Sequence, residues 1–327
     1  MQRLDHAAHG GCLNRRRVLA LLPALAAGCS GHQHPLAVGI SAYPPYELAI
    51  LARESGYFRD AGLNVWLVEF EDLSDAQRAF EQGKLDGLAT TLVEVLVSRH
   101  AGARDLRVMR AISVSEGADV VVAPREIRTV ADLRGRKVAV EIASLSHFML
   151  ARALQRAGLA LSDVTPVSMA QNAMPAALQS GEVSAIVTYP PSATALRADP
   201  RWHVLFSSRA IPDEVVDVYA FDAQALARQP RDIQAFFQAV DRAFHRFGAE
   251  PQDSCRIMAP RLRTTADAAC AAMTDGIRLI PPSEQARYLG PTMAMRTSLA
   301  AVQRALTESR LVGNNPALAD CLEPLRP

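Results

Sequence analysis

Apolar runs of four to six residues alternate with amphipathic stretches through the first two thirds of the chain. Residues 36–41 read as a strand, the Tyr43-Pro44-Pro45-Tyr46 turn follows, and 47–54 has helical spacing. Pro45 suits a helix start, because the N–H it lacks has no intrahelical partner there. The same alternation predicts strands over 64–70, 86–89, 106–113, 119–123, 137–140, 164–168, 185–188 and 217–221. Helices fall between them over 75–82, capped by Ser74, and over 91–100, 146–157 and 173–179. Beyond 221 the pattern turns helical almost to the end, with 231–247 and 292–306 the longest stretches. Strands alternating with helices predict an α/β fold with a mostly parallel sheet covered by helices. No internal repeat or low-complexity linker interrupts the pattern, so two lobes would be joined by crossing strands.

The N-terminal pattern differs. Arg15, Arg16 and Arg17 precede an apolar run over 18–27 that ends at Gly28-Cys29-Ser30-Gly31. A basic start, an apolar core of about ten residues and small residues before a break describe an export signal, since a membrane span needs about twenty. The cysteine at the break resembles a lipoprotein signal, in which the Cys29 thiol receives a lipid and becomes the new N-terminus. The run from Asn14 to Leu19 also resembles a twin-arginine signal, with Val18 where Phe is preferred. The expected divisions are a signal over 1–28, a tether over 29–35, and a mature chain lipid-anchored in the periplasm.

Composition narrows the function classes. The chain has 49% hydrophobic residues and a formal net charge of +1, so it lacks the basic excess of a nucleic-acid surface. Lys84 and Lys137 are the only lysines. With Cys12 in the signal and Cys29 lipidated, Cys255, Cys270 and Cys321 remain. An odd number permits one disulfide and a spare thiol, and no Cys-x-x-Cys spacing suggests zinc. The histidines are dispersed, with no metal-ligand spacing and no glycine-rich phosphate loop, so neither metal nor cofactor is expected.

Several segments together carry a family resemblance. Gly56-Tyr57-Phe58, Ala61-Gly62-Leu63 and Gly83-Lys84-Leu85-Asp86-Gly87 come first. Ser115-Glu116-Gly117-Ala118-Asp119 and the run from Asp132 to Glu141 follow, then Gly181-Glu182-Val183-Ser184-Ala185 and Thr188-Tyr189-Pro190. In this order the chain resembles the solute-binding proteins of nitrate/sulfonate/taurine-type ABC importers, within the wider thiamine-pyrimidine-precursor-binding superfamily. That resemblance implies a two-lobed fold of the type II periplasmic binding protein kind with a helical C-terminal region. Lobe one would comprise 36–122 and 221–327, and lobe two 123–220. It also implies a monomer that closes on a small-molecule ligand and docks on a cognate permease driven by an ATPase.

In open α/β sheets, ligands sit beyond the carboxyl ends of strands, where helix N-termini offer free donors. Three such turns stand out: Tyr43 to Tyr46, Thr90-Thr91, and Ser144-Leu145-Ser146-His147. Their hydroxyls can cap the helices, meet ligand, or do both. Tyr43, Tyr46 and Tyr189 offer flat faces with hydroxyls, as cleft walls or as packing between lobes. Asp119 and Asp217 lie where the chain would cross between lobes and read mainly as hinge or turn residues, with direct ligand contact as the alternative. With Glu116 and Glu141 they give the region more acid than a bare oxyanion tolerates. A ligand with an added amino group, as in taurine, or a nitrogen heterocycle such as a thiamine pyrimidine precursor, fits better.

Catalytic readings find less support. The fungal thiamine-pyrimidine synthase of the same superfamily needs a pocket lysine for pyridoxal phosphate, and neither Lys84 nor Lys137 has a suitable setting. Ser144, Ser146 and His147 lack the Gly-x-Ser-x-Gly elbow of a hydrolase. The expectation is a binding protein rather than an enzyme, with a lipid-anchored sensor reporting to a membrane kinase as the alternative.

Overall fold

The chain folds around two mixed sheets, whose inner ends face one another across a cleft. The structure is a computed structural model that describes residues 34–102, 104–290, 294–313 and 321–322, and the fold is that of the unit Pro35–Pro327. The export signal and Cys29 lie outside the described residues.

The first sheet contains β1 (Leu36–Ser41), β2 (Val65–Phe70), β3 (Gly87–Thr91), β4 (Leu106–Ser115), β10 (Val216–Asp222) and β11 (Ile277–Leu279). Their order is β11-β4-β10-β3-β1-β2. The second contains β5 (Val120–Pro124), β6 (Lys137–Val140), β7 (Thr165–Ser168), β8 (Ala185–Thr188) and β9 (Trp202–Ser207), ordered β7-β6-β8-β5-β9. Central β1 is buried along its whole length between two parallel neighbours, which is why its sequence runs apolar without alternation. Edge strand β2 alternates and leaves Trp66 exposed.

Two expectations change here. The sheets are mixed rather than mostly parallel: β1 pairs parallel with β2 and β3, and β6 with β7 and β8, while β5 and β10 are antiparallel to their partners. The cause is the crossing itself, because β5 and β10 are the strands that enter each sheet from the other half. For the same reason the change of sheet falls at 116–119 and 208–215, so β5 lies wholly in the second sheet and Asp217 to Ala220 lie in the first. The strands β9 and β11 add to the predicted set, and β11 interrupts the expected helical tail.

The two crossings are tied to each other. Ser115 and Ser208 hydroxyls lie 2.7 Å apart, Gly117 N–H donates to Ser208 Oγ, and Ser208 N–H donates to Asp119 O at 2.9 Å. Gly276, with φ +69°, presses on this crossing so closely that a Cβ would sit 2.6 Å from Ala118 N. Its carbonyl accepts from Glu116 N–H and Ala118 N–H. Beneath the first sheet, helix Pro251–Met258 is bridged to helix Ala266–Ala272 by the disulfide Cys255–Cys270, the pair that the cysteine count left open. Cys321 is buried.

Candidate functional site

The strand ends that face the cleft carry tyrosines and carboxylates in one cluster. Tyr43 packs edge-on against Tyr46 and Tyr189, with ring centroids 5.0 and 5.6 Å apart. Tyr43 and Tyr46 follow β1 in the first half, and Tyr189 follows β8 in the second, so this contact spans the cleft. Tyr46 hydroxyl donates to Asp217 Oδ1 at 2.9 Å and Ser113 hydroxyl to Asp217 Oδ2 at 2.5 Å. Asp217 is thus a buried group inside the first sheet, not a hinge residue, while Asp119 sits at the end of the first crossing.

Burial dominates the electrostatics. It raises Asp217 to about 8 and outweighs the two hydroxyl donors, with Asp119 adding to the rise. Asp119 is raised to about 6 by burial, against the Ser115 hydroxyl. Glu141 rises to about 7, again by burial, with Gln171 and Ser74 opposing and Asp72 and Glu94 assisting. Glu94 is also raised by burial. Burial lifts the phenols of Tyr43, Tyr46 and Tyr189 well above their usual range, with nearby carboxylates adding to it.

The predicted hydroxyls are placed at this cleft with internal partners already. Thr91 Oγ1 accepts from Val93 N–H as a helix cap and its hydroxyl donates to Glu94. Ser144 caps helix Leu145–Arg156, accepting from Ser146 N–H at 3.1 Å while donating to Glu141 O at 2.7 Å. Ser146 Oγ accepts from Glu141 N–H at 2.8 Å. Thr90 is different: its Oγ1 is buried with no hydrogen-bond partner, as is that of Thr188. His147 is half-buried, accepts at Nδ1 from Ala143 N–H, and has its pKa lowered by burial. Ser74 does not cap its helix. Asp72 accepts from Asp75 N–H instead, because its side chain precedes the first turn, and this leaves the Ser74 hydroxyl to donate across the cleft to Glu141 at 3.1 Å.

A cavity of about 370 Å³ opens at the mouth, lined from one side by Arg261 and Arg263 and from the other by Tyr189, Gln171 and Ser192. Arg261 has no donor to spare. Its five N–H groups go to Glu69, Glu47, and the carbonyls of Ile40, Ser41 and Phe70. Arg263 pairs with Glu71 at the exposed rim. A wider depression of about 560 Å³ lies by Tyr57 and by Arg242 of the outer helix Pro230–Ala249, and none of the cleft residues lines it. Among the described residues, no group of three or more His, Cys, Asp or Glu side chains is arranged to hold a metal ion.

The profile of the family described as NMT1/THI5 like matches residues 46–254. The chain belongs to that family. It is 34% identical over 126 residues to the putative aliphatic sulfonates-binding protein of Escherichia coli K12, covering 38% of this chain and 39% of that one. It is 23% identical over 243 residues to the taurine-binding periplasmic protein of the same organism, covering 73% of each. Among solved structures, the alkanesulfonate-binding protein of Xanthomonas axonopodis pv. citri bound to MOPS superposes with TM-score 0.76 at 19% identity, over 89% of this chain and 98% of that one. The two-lobed binding-protein fold is therefore shown, in agreement with the sequence. The same fold also serves a desulfurization enzyme (TM-score 0.61, 16% identity, 90% of this chain and 97% of that one).

In this NMT1/THI5-like chain, sequence reasoning missed Glu94, Gln171 and Asp72 as cleft residues. Glu94 had a signal, the Thr91-x-x-Glu94 spacing of a capping box. Its carboxylate keeps the Thr91 hydroxyl at Oε2 and also reaches the opposite half, where Oε1 accepts from Leu145 N–H at 2.6 Å. Gln171 sits in a loop after β7 with no local pattern to mark it.

Proposed function

We propose that this chain is an extracytoplasmic solute-binding protein of an ABC importer, held to a bacterial membrane through lipid on Cys29, and not an enzyme. Solute enters between the two sheets and the halves rotate about the crossings at 116–119 and 208–215. The closed form then docks on a membrane permease driven by an ATPase. One observation carries the reading: tyrosines and carboxylates of both halves meet in a single buried cluster, beside two short, mutually bonded crossings. Such a cluster is desolvated by closing, and short paired crossings suit rigid hinge motion. Family membership and the binding proteins among its relatives support the same role, with a small solute of the nitrate, sulfonate or taurine class as the starting expectation.

Closure requires that the ligand bind the closed state better than the open one. Small-angle scattering with a bacterial small-molecule extract should therefore give a smaller radius of gyration, with the retained solute recovered chemically intact. No compaction with any extract, or recovery of a converted product in proportion to protein, defeats this reading. For the anchor, Cys29→Ser should abolish lipid labelling, and unchanged labelling would refute it.

A further inference from the structure

The cleft's polar groups are unbalanced in one direction. Asp72, Glu94, Asp119, Glu141 and Asp217 are all at least nine-tenths buried there, and Tyr189 lies within the field of four of them. The chief influences on Glu94, Glu141 and Asp217 are burial, hydroxyl, amide and backbone donors, and other carboxylates. Both guanidiniums that line the cavity are already paired, and Arg261 has used every N–H.

The place where an oxyanion would bind is also filled. Helix Leu145–Arg156 points its N-terminus at the cleft, and a helix start normally offers free N–H donors to an anion. Here the first of them, Leu145 N–H, donates to Glu94 Oε1, and Ser144 caps the next. The chain supplies its own carboxylate at that position.

A separate observation points to a donor-bearing ligand. Gln171 Nε2 donates to Glu141 Oε2 at 2.9 Å and to Val187 O at 3.2 Å, and that carbonyl can only accept. This fixes the amide's orientation and leaves Gln171 Oε1 buried, beside the cavity, without a donor. A buried acceptor without a donor costs free energy until one arrives.

We infer that Glu141 and Gln171 form the anchor for a ligand's ammonium or amidinium group, and that Glu94 excludes bare oxyanions, so the cleft selects cationic nitrogen solutes. This rests on the solute-binding reading above. The charged nitrogen gives N–H donors to Glu141 and Gln171 Oε1 together, and its charge relieves the mutual repulsion of Glu141 with Asp72 and Glu94.

The test is a calorimetric panel on the full chain with benzamidine, putrescine and taurine against ethanesulfonate and nitrate. At least one nitrogen cation should bind saturably while ethanesulfonate and nitrate do not. Glu141→Gln and Gln171→Leu, each checked for a wild-type melting profile, should weaken that cation about tenfold or more. Glu94→Gln, which removes the charge at the helix start, should admit ethanesulfonate. The inference is overturned if ethanesulfonate or nitrate binds the wild type as well as any cation, if every nitrogen probe is silent, or if neither anchor variant weakens binding. Those outcomes leave extract-induced compaction intact, whereas loss of compaction condemns the solute-binding reading itself.

Discussion

Two of the places where this molecule buries carboxylates solve the problem differently. Near the ends of β1 and β2, Glu47 is fully buried and raised to about 7 by desolvation, yet Arg261 sits on it and spends its whole donor set locally. In the cleft, Asp217 and Glu141 are as deeply buried and raised as far, with only hydroxyls and an amide beside them. A buried charge with its countercharge built in is architecture. A group of buried carboxylates answered by neutral donors alone is a site that another molecule completes.

Removing the countercharge gives the largest expected effect. Arg261→Ala strands Glu47 and three backbone carbonyls, and should cost about 3–5 kcal/mol of stability, the range for breaking a buried pair. Glu141→Gln, by contrast, should change stability by less than about 1 kcal/mol or raise it, since it removes a charge that burial disfavours. Urea unfolding of both variants at one pH reads the difference directly. Equal losses would break the distinction between the two places.

The disulfide lies on the architectural side. Cys255 and Cys270 close a loop of 15 residues just before and after Arg261, and closing such a loop is worth about 3 kcal/mol in the chain-entropy account. Reduction, or Cys255→Ala with Cys270→Ala, should lower stability by that order while cleft affinity, measured where the protein remains folded, stays unchanged. A parallel loss of affinity would mean that the brace and the site are coupled.

Most strands of the fold and half of the cleft could be read in the sequence. Apolar runs such as Leu36–Ser41 and Ala185–Thr188 gave their strands to the residue, because central strands buried on both faces run mostly apolar and keep hydroxyls to their ends. Tyr43, Tyr46, Tyr189, Asp119 and Asp217 could be found because they stand at strand ends or crossings. Gln171 and the contact of Glu94 across the cleft could not, since the partners Glu141 and Leu145 are 30 and 51 residues away. Periodicity reports which face of an element is wet; it carries no information on what lies opposite across a cleft. The antiparallel entry of β5 and β10 escaped for the same reason, being fixed by connection between halves rather than by either strand's own pattern.

Acidity separates the two places at intermediate size. Asp119, Glu141 and Asp217 have native values of about 6, 7 and 8, above the carboxylate values near 4 of an unfolded chain. Between about pH 4 and 8 the native state therefore holds more protons than the unfolded one, and stability falls as pH rises, on the order of 1–3 kcal/mol per unit near neutrality. Melting temperature should decline steadily from pH 5.5 to 8.5. Glu47 contributes to this slope, so Asp217→Asn and Glu141→Gln should flatten it without abolishing it. A slope unchanged in both variants would assign the effect to Glu47 and Asp119 and away from these two carboxylates.

The smallest expected effect concerns Thr90, whose hydroxyl lies buried at the end of β3 without a partner. Replacing Thr by Val keeps the shape and deletes only the polar atom. Where a buried hydroxyl is bonded, its loss costs about 1 kcal/mol. At Thr90 there is no bond to lose, so Thr90→Val should leave the unliganded protein unchanged or more stable by a fraction of a kcal/mol. If the hydroxyl waits for solute, the same variant should weaken binding by about 1–2 kcal/mol, the value of a hydrogen bond made only in the complex. The pair of measurements, melting without solute and calorimetry with it, separates the two roles in one variant. Destabilisation of the free protein by a full kcal/mol would return Thr90 to the architecture.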